Sequence, residues 1–133
     1  MKTYKFYDTQ ALLKCRHELF KSPNEIVVFS DITMYQIINQ KYSEDGTAAF
    51  ELHNILKDHE YEYVVWKYFP HFFQVFKQHA PMLQEAPIFA MLACAIDYDT
   101  NEHPDETVFV TTDKVVGDLA NRVCFGEDSV IYV

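Results

Sequence analysis

The sequence predicts an α/β fold of three layers (α/β/α), in which helices cover both faces of a mainly parallel central sheet of about five strands. Short runs of β-branched and aromatic residues alternate along the chain with helical patterns. These runs are mostly apolar throughout, as expected for strands that are covered on both faces. No internal repeat, low-complexity tract or long linker divides the 133 residues, so one domain is predicted over residues 1–133.

Two strand–helix units are predicted at the start of the chain. Thr3–Tyr7 combines alternating and aromatic residues, which favours a strand, and Thr9 is placed to cap the helix that follows. The apolar stripe of that helix extends from Ala11 to Leu19. After a Ser-Pro-Asn break, Glu25–Phe29 is a continuous β-branched run typical of a buried strand. Ser30 or Asp31 then caps the second helix.

The middle of the chain predicts three helices and one strand. Thr47–Lys57 has the spacing of an amphipathic helix, and Tyr61–Trp66 is an aromatic and valine-rich strand. A helix is expected to begin at Pro70 and run through His79, because proline suits the first turn. Pro87 begins another helix, which is predicted through about Ile96 and is rich in small residues.

The last third predicts a loop, two strands and a helix. Asp97–Asp105 is polar and is expected to be a loop. Thr107–Val110 is the fourth strand, Lys114–Val123 is a helix with an apolar stripe, and Ser129–Val133 is the last strand.

Two of the predicted strands are followed by an aspartate. Asp8 follows the first strand, and Asp113 follows the strand near the end of the chain. Because the carboxyl ends of parallel strands lie at one edge of a sheet, where open α/β folds bind ligands, the two carboxylates are candidates for a shared divalent metal ion.

Four motifs together resemble those of PIN domains. Tyr7–Leu13 is similar to their opening strand-end Asp-Thr and Leu-rich helix, and Phe29–Met34 to their second strand and the Ser/Thr-rich start of the next helix. Phe109–Asp113 is similar to their late strand with its Thr-x-Asp motif, and Phe125–Asp128 to the segment before a final strand in some relatives. The resemblance covers nearly the whole chain in the right order.

The resemblance implies a metal-dependent ribonuclease, in which four acidic residues hold Mg²⁺ or Mn²⁺ and the metal activates water. Asp8 matches the first acidic position and Asp113 the Thr-x-Asp position. The glutamate expected on the second helix falls at Gln36, and the aspartate expected at the start of the fifth helix falls at Ile88. The acidic site is therefore expected to be degenerate.

Two neighbouring carboxylates remain open as replacements for the missing acids. A slightly shifted alignment would recruit Asp31, or Glu85 one turn before Ile88. Ile88 has a structural interpretation of its own, because it begins an apolar stripe at helical spacing and is expected to pack, and its side chain cannot ligate an ion.

Charge disfavours a nucleic-acid partner. The chain has 20 acidic and 11 basic residues, for a formal net charge of −9, whereas phosphate backbones are bound largely through Lys and Arg. The candidate basic patch consists of Lys14, Arg16, His17 and Lys21 on and after the first helix. A solvated helix face is the simpler interpretation of that patch.

The chain is expected to be cytoplasmic, or part of a virion if the protein is viral. Its start has no secretory signal pattern, and no apolar run approaches the roughly 18 residues of a membrane span. Cys15, Cys94 and Cys124 are few and far apart, which indicates reduced thiols rather than disulfides or a zinc site.

Two functions from different classes follow. In the first, the chain is a degenerate, catalytically inactive PIN-like domain without a cofactor. It serves as a structural or protein-interaction subunit of a larger assembly, toxin–antitoxin-like or viral, with a protein partner or as a homo-oligomer. In the alternative, it is an active Mg²⁺- or Mn²⁺-dependent endoribonuclease that uses Asp8 and Asp113 on RNA. Gln36, Ile88 and the acidic balance favour the first.

Overall fold

A five-stranded parallel sheet forms the centre of the part of the molecule that the computed structural model describes, which is residues 2–68, 74, 78, 87–102, 106–123 and 125–133. The strand order is β3-β2-β1-β4-β5, and each neighbouring pair is parallel. The strands are β1 (Thr3–Tyr7), β2 (Glu25–Ser30), β3 (Tyr63–Trp66), β4 (Glu106–Thr111) and β5 (Val130–Tyr132). The three-layer α/β fold predicted from the sequence is confirmed.

Helices cover both faces of this sheet. They are α1 (Thr9–Lys14), α2 (Asp31–Gln40), α3 (Thr47–Asp58), α4 (Pro87–Glu102) and α5 (Lys114–Val123), with a short 3₁₀ helix at Glu127–Ser129 before β5. No helix within the described ranges is both long and apolar enough to cross a membrane.

The sheet separates two hydrophobic cores, because successive side chains of a strand face opposite sides. Phe6 belongs to the core beneath α4 and α5, together with Leu92 and Leu119, while its neighbour Tyr7 belongs to the core beneath α1, α2 and α3. Both cores are fully enclosed at their centres, since Phe6, Phe29 and Phe109 have no exposed surface.

Two predicted boundaries at the first helix are wrong. Asp8, not Thr9, caps α1, because its side chain accepts a hydrogen bond from the Ala11 amide. The helix also ends at Lys14, although the apolar pattern continues to Leu19. Leu19 lies in the turns that follow the helix and is buried there.

The predicted loop over Asp97–Asp105 is wrong as far as Glu102, because α4 continues to that residue. Tertiary contacts explain the difference. The Asp97 carboxylate accepts a hydrogen bond from the Trp66 indole (2.8 Å), and the Tyr98 ring packs against Trp66 and Phe6. Residues 103–105 lie outside the described residues.

The helix predicted over Pro70–His79 also lies outside the described residues, except for Gln74 and Gln78, which are helical. Among the cysteines, Cys15 is free and partly buried and Cys94 is free and buried, as predicted, whereas Cys124 is not described. Burial raises the pKa of the Cys94 thiol, and the Asp31 and Asp97 carboxylates raise it further.

Gly46, which precedes α3, offers a test of backbone packing. A Cβ at this position would lie 2.1 Å from the Gln40 carbonyl oxygen and 3.0 Å from the Lys41 backbone. We expect Gly46→Ala to lower the free energy of unfolding by about 1–3 kcal/mol, because rigid backbone must shift to admit the methyl group. Urea unfolding followed by circular dichroism measures the loss.

Gly126→Ala is the matched control. A Cβ at Gly126 meets no atom within 4 Å, so this variant should stay within about 0.5 kcal/mol of wild type. Equal losses for the two variants would show that the steric argument for Gly46 is wrong.

Candidate functional site

The candidate site lies at the carboxyl edge of the sheet, where β1 and β4 are neighbours. Tyr7 is paired with Val110 at the end of the shared ladder. The Asp8 amide then donates to the Val110 carbonyl at 3.1 Å. This register places Asp8 beside Thr111, the last residue of β4.

Asp8 is completely buried and both of its carboxylate oxygens accept hydrogen bonds. Oδ1 accepts from the Ala11 amide at 2.8 Å, which caps α1, and Oδ2 accepts from the Thr111 hydroxyl. Burial raises the pKa of Asp8 above its ordinary value of 3.8, and the two hydrogen bonds oppose that rise. The Asp113 carboxylate nearby raises the pKa as well.

Asp113 occupies the equivalent position at the start of α5. Its Oδ1 accepts hydrogen bonds from the amides of Val115 (2.9 Å) and Val116 (3.2 Å), and its own amide donates to the Thr111 hydroxyl at 3.0 Å. The structure thus brings Asp8 and Asp113 together around Thr111. Both carboxyl groups serve as helix caps.

Neutral side chains surround Thr9, the residue that follows Asp8. The Thr9 hydroxyl donates to the Gln36 amide oxygen, and lies 3.0 Å from the Thr33 hydroxyl and 3.3 Å from the Met91 sulfur. Thr9, Thr33 and Met91 are buried. Ile88 is partly buried and packs against the core beneath α4 and α5. Gln36 therefore accepts a hydrogen bond from a neutral group, and Ile88 takes part in apolar packing.

The two replacement carboxylates considered from the sequence do not join this cluster within the described residues. Asp31 accepts a hydrogen bond from the Tyr68 amide at 3.0 Å, beyond the end of β3. Glu85 lies outside the described residues. The sequence placed Asp97 in a loop and did not predict that its carboxylate is buried. The Trp66 indole donates a hydrogen bond to this carboxylate.

A resident divalent metal does not fit these residues. In the described ranges no three His, Cys, Asp or Glu side chains are placed to share an ion. Mg²⁺ and Mn²⁺ require several oxygen ligands, and Asp8 has no exposed surface through which an ion could reach it. Asp113 remains as a partly exposed carboxylate whose Oδ1 is already used by two amides.

Comparison with known proteins identifies the fold. No family model matches the chain, and no curated protein matches it. Among solved structures, it is similar to a chain of VapBC2 from Rickettsia felis, determined bound to a DNA fragment from their promoter. The TM-score is 0.56 at 9% sequence identity, over 98% of this chain and 97% of that chain. The fold is PIN-like.

Acidic neighbours neutralise most of the basic patch on this PIN-like fold. The Arg16 guanidinium (3.1 Å) and the His17 imidazole (3.3 Å) both contact the Glu51 carboxylate. The Lys21 ammonium lies 3.2 Å from the Glu18 carboxylate. The fourth member, Lys14, lines an open depression of about 520 Å³ that extends to Thr112. Three of the four residues of the patch thus contact carboxylates, which weakens the patch as a phosphate-binding surface.

Asp8 gives the site a testable pH dependence. Its pKa in the folded chain lies above 3.8, so the folded chain binds more protons than the unfolded chain between pH 3.8 and that raised pKa. The stability that protonated Asp8 contributes is present below pH 3.8 and is lost as the pH rises through the folded pKa. Asp8→Asn cannot titrate and keeps a capping oxygen for α1.

We therefore expect the free energy of unfolding of wild type, minus that of Asp8→Asn, to fall as the pH rises from about 4 to about 7. Urea titrations at several pH values measure this difference. Asp58→Asn, at an exposed carboxylate, is the control variant. A difference that rises with pH would contradict the raised pKa.

Proposed function

We propose that this chain is a degenerate, catalytically inactive PIN-like domain that acts as a protein-interaction or structural subunit of a larger assembly. One observation carries the proposal. The buried Asp8 carboxylate has both oxygens occupied by hydrogen bonds, and the next residue, Thr9, contacts the neutral side chains of Gln36, Thr33 and Met91.

Electrostatics explains why such an edge is suited to a domain without a metal. Two unit charges about 4 Å apart repel by roughly 4 kcal/mol at an effective dielectric constant near 20. Four clustered carboxylates are therefore costly unless a cation compensates them. A glutamine amide and a methionine sulfur carry no charge, and the remaining carboxyl groups of Asp8 and Asp113 stabilise helix ends.

The neighbouring solved structure and the surface support a protein partner or a homo-oligomer. VapBC2 was determined as a complex on DNA, and we infer a comparable toxin–antitoxin-like, or viral, assembly for this chain. Helix α2 and the turn after it carry exposed apolar side chains at helical spacing, Tyr35, Ile38 and Tyr42. Exposed aromatic side chains are enriched at protein interfaces. The setting we propose is the cytoplasm, or a virion.

A second candidate function rests on the proximity of the two strand-end carboxylates. Asp8 and Asp113 both contact Thr111, and a rearranged edge could direct both toward one Mg²⁺ or Mn²⁺ ion. That ion would then activate water for cleavage of RNA, in a metal-dependent endoribonuclease.

Calorimetric titration with Mn²⁺ separates the two functions. We expect no binding to wild type or to Asp8→Asn, because a buried and doubly hydrogen-bonded carboxylate offers no open ligand position. We also expect no Mn²⁺-dependent cleavage of single-stranded RNA by wild type.

Asp58→Asn is the control, since Asp58 is an exposed carboxylate away from this edge. Micromolar to low-millimolar binding that Asp8→Asn abolishes and Asp58→Asn preserves would overturn the inactive assignment. RNA cleavage with the same dependence on Asp8 would establish the ribonuclease.

A further inference from the structure

A pocket of about 530 Å³ lies between α5 and β5, on the side of Thr112 away from α1. It is lined by Thr112, Lys114, Asp118, Asn121 and Tyr132. None of the hydrogen bonds around Asp8 uses the last three of these side chains. The pocket is therefore separate from the carboxyl-edge cluster, although Thr112 and Lys114 flank Asp113.

The Tyr132 ring forms one wall of this pocket, and Gly117 allows it to lie against α5. A Cβ at Gly117 would meet the Cε1, Cζ and hydroxyl oxygen of Tyr132 at 2.4–2.6 Å. The phenol then donates a hydrogen bond to Asp118 Oδ1 at 3.1 Å. Both contacts are at the hydroxyl end of the ring, and Tyr132 remains 46% exposed. A fixed and accessible aromatic surface next to a carboxylate is a good receptor for a cation.

Asn121, one of the lining residues, carries an acceptor without a donor. Asn121 Oδ1 is buried and has no hydrogen-bond partner among the described residues. Leaving a buried polar atom unpaired costs free energy, and such atoms are exceptions in folded proteins. A ligand rich in N–H donors would supply the missing partner once the amide turns toward it.

We propose that this pocket binds the arginine guanidinium of a basic protein segment. This proposal rests on the proposed function as an interaction subunit. A guanidinium is planar, stacks on aromatic rings and carries five donors for carboxylate and amide oxygens. Tyr132, Asp118 and Asn121 supply the matching ring, carboxylate and amide. The net charge of −9 attracts a basic partner over longer range.

Lys114 makes the proposal sharply testable, because it is the cation among the lining residues. Its exposed ammonium repels a guanidinium but would attract a phosphate. Replacing Lys114 by glutamine therefore has opposite effects on the two classes of ligand. An arginine ligand should bind more tightly, and a nucleotide should bind more weakly.

The experiment is an NMR titration of the ¹⁵N-labelled protein with N-acetyl-arginine amide. We expect saturable shifts at Gly117, Asn121 and Tyr132, with a dissociation constant on the order of 1 mM. N-acetyl-citrulline amide, which has nearly the same shape but no charge, should leave these resonances in place. Shifts spread evenly over acidic side chains, or equal shifts with citrulline, would overturn the proposal.

Three variants complete the test. Asp118→Asn keeps an acceptor for the Tyr132 hydroxyl but should weaken binding at least about fivefold, since a charged partner is lost. Lys114→Gln should strengthen binding. Asp45→Asn removes a carboxylate from the depression on the other side of Thr112 and should change nothing.

Weaker arginine binding by Lys114→Gln would refute the assignment. Shifts of the same resonances by uridine monophosphate and not by arginine would refute it as well and would identify an anion site. The result of the arginine titration is independent of whether the chain binds Mn²⁺. Metal at Asp8 would overturn the proposed function while leaving the arginine titration to be judged on its own.

Discussion

The hydroxyl of Thr111 holds together the edge of the sheet on which the remaining architecture depends. It donates to the buried Asp8 carboxylate and accepts from the Asp113 amide. Asp8 in turn caps α1, and Asp113 caps α5. One side chain at the end of β4 thus links the starts of two helices that cover opposite faces of the sheet. Because both oxygens of the Asp8 carboxyl group accept hydrogen bonds, the cost of burying that group is reduced.

The same edge determines which chemistry suits the molecule. An aspartate at a strand end can either bind a ligand or cap a helix, and the surroundings decide between them. Here Thr9, Gln36, Thr33 and Met91 form a neutral, closely packed group beside Asp8. The accessible polar surface lies farther along, where Tyr132 and Asp118 border the pocket between α5 and β5. The binding that we propose for that surface needs no ion at the sheet edge.

Much of the fold was predictable because local patterns and burial agree. The apolar runs of β1 and β2 and the amphipathic pattern of α5 predicted these elements closely, and Asp8 and Asp113 lie at the edge expected of parallel strands. The prediction failed where a polar segment is buried by distant partners. Asp97 and Tyr98 remain helical because Trp66, 31 residues from Asp97, hydrogen-bonds and packs against them. No local pattern reports such a contact.

The sequence by itself determined the α/β class, the strand-end position of both aspartates and the absence of charge at Gln36 and Ile88. Those features depend on residue type and on spacing along the chain. Only the tertiary structure decided that Asp8 is enclosed and that Arg16 and His17 are paired with Glu51. It also decided that Gly117 admits the Tyr132 ring. Each of these depends on atoms from distant segments that meet only when the sheet is assembled, and burial and pairing are properties of that assembly.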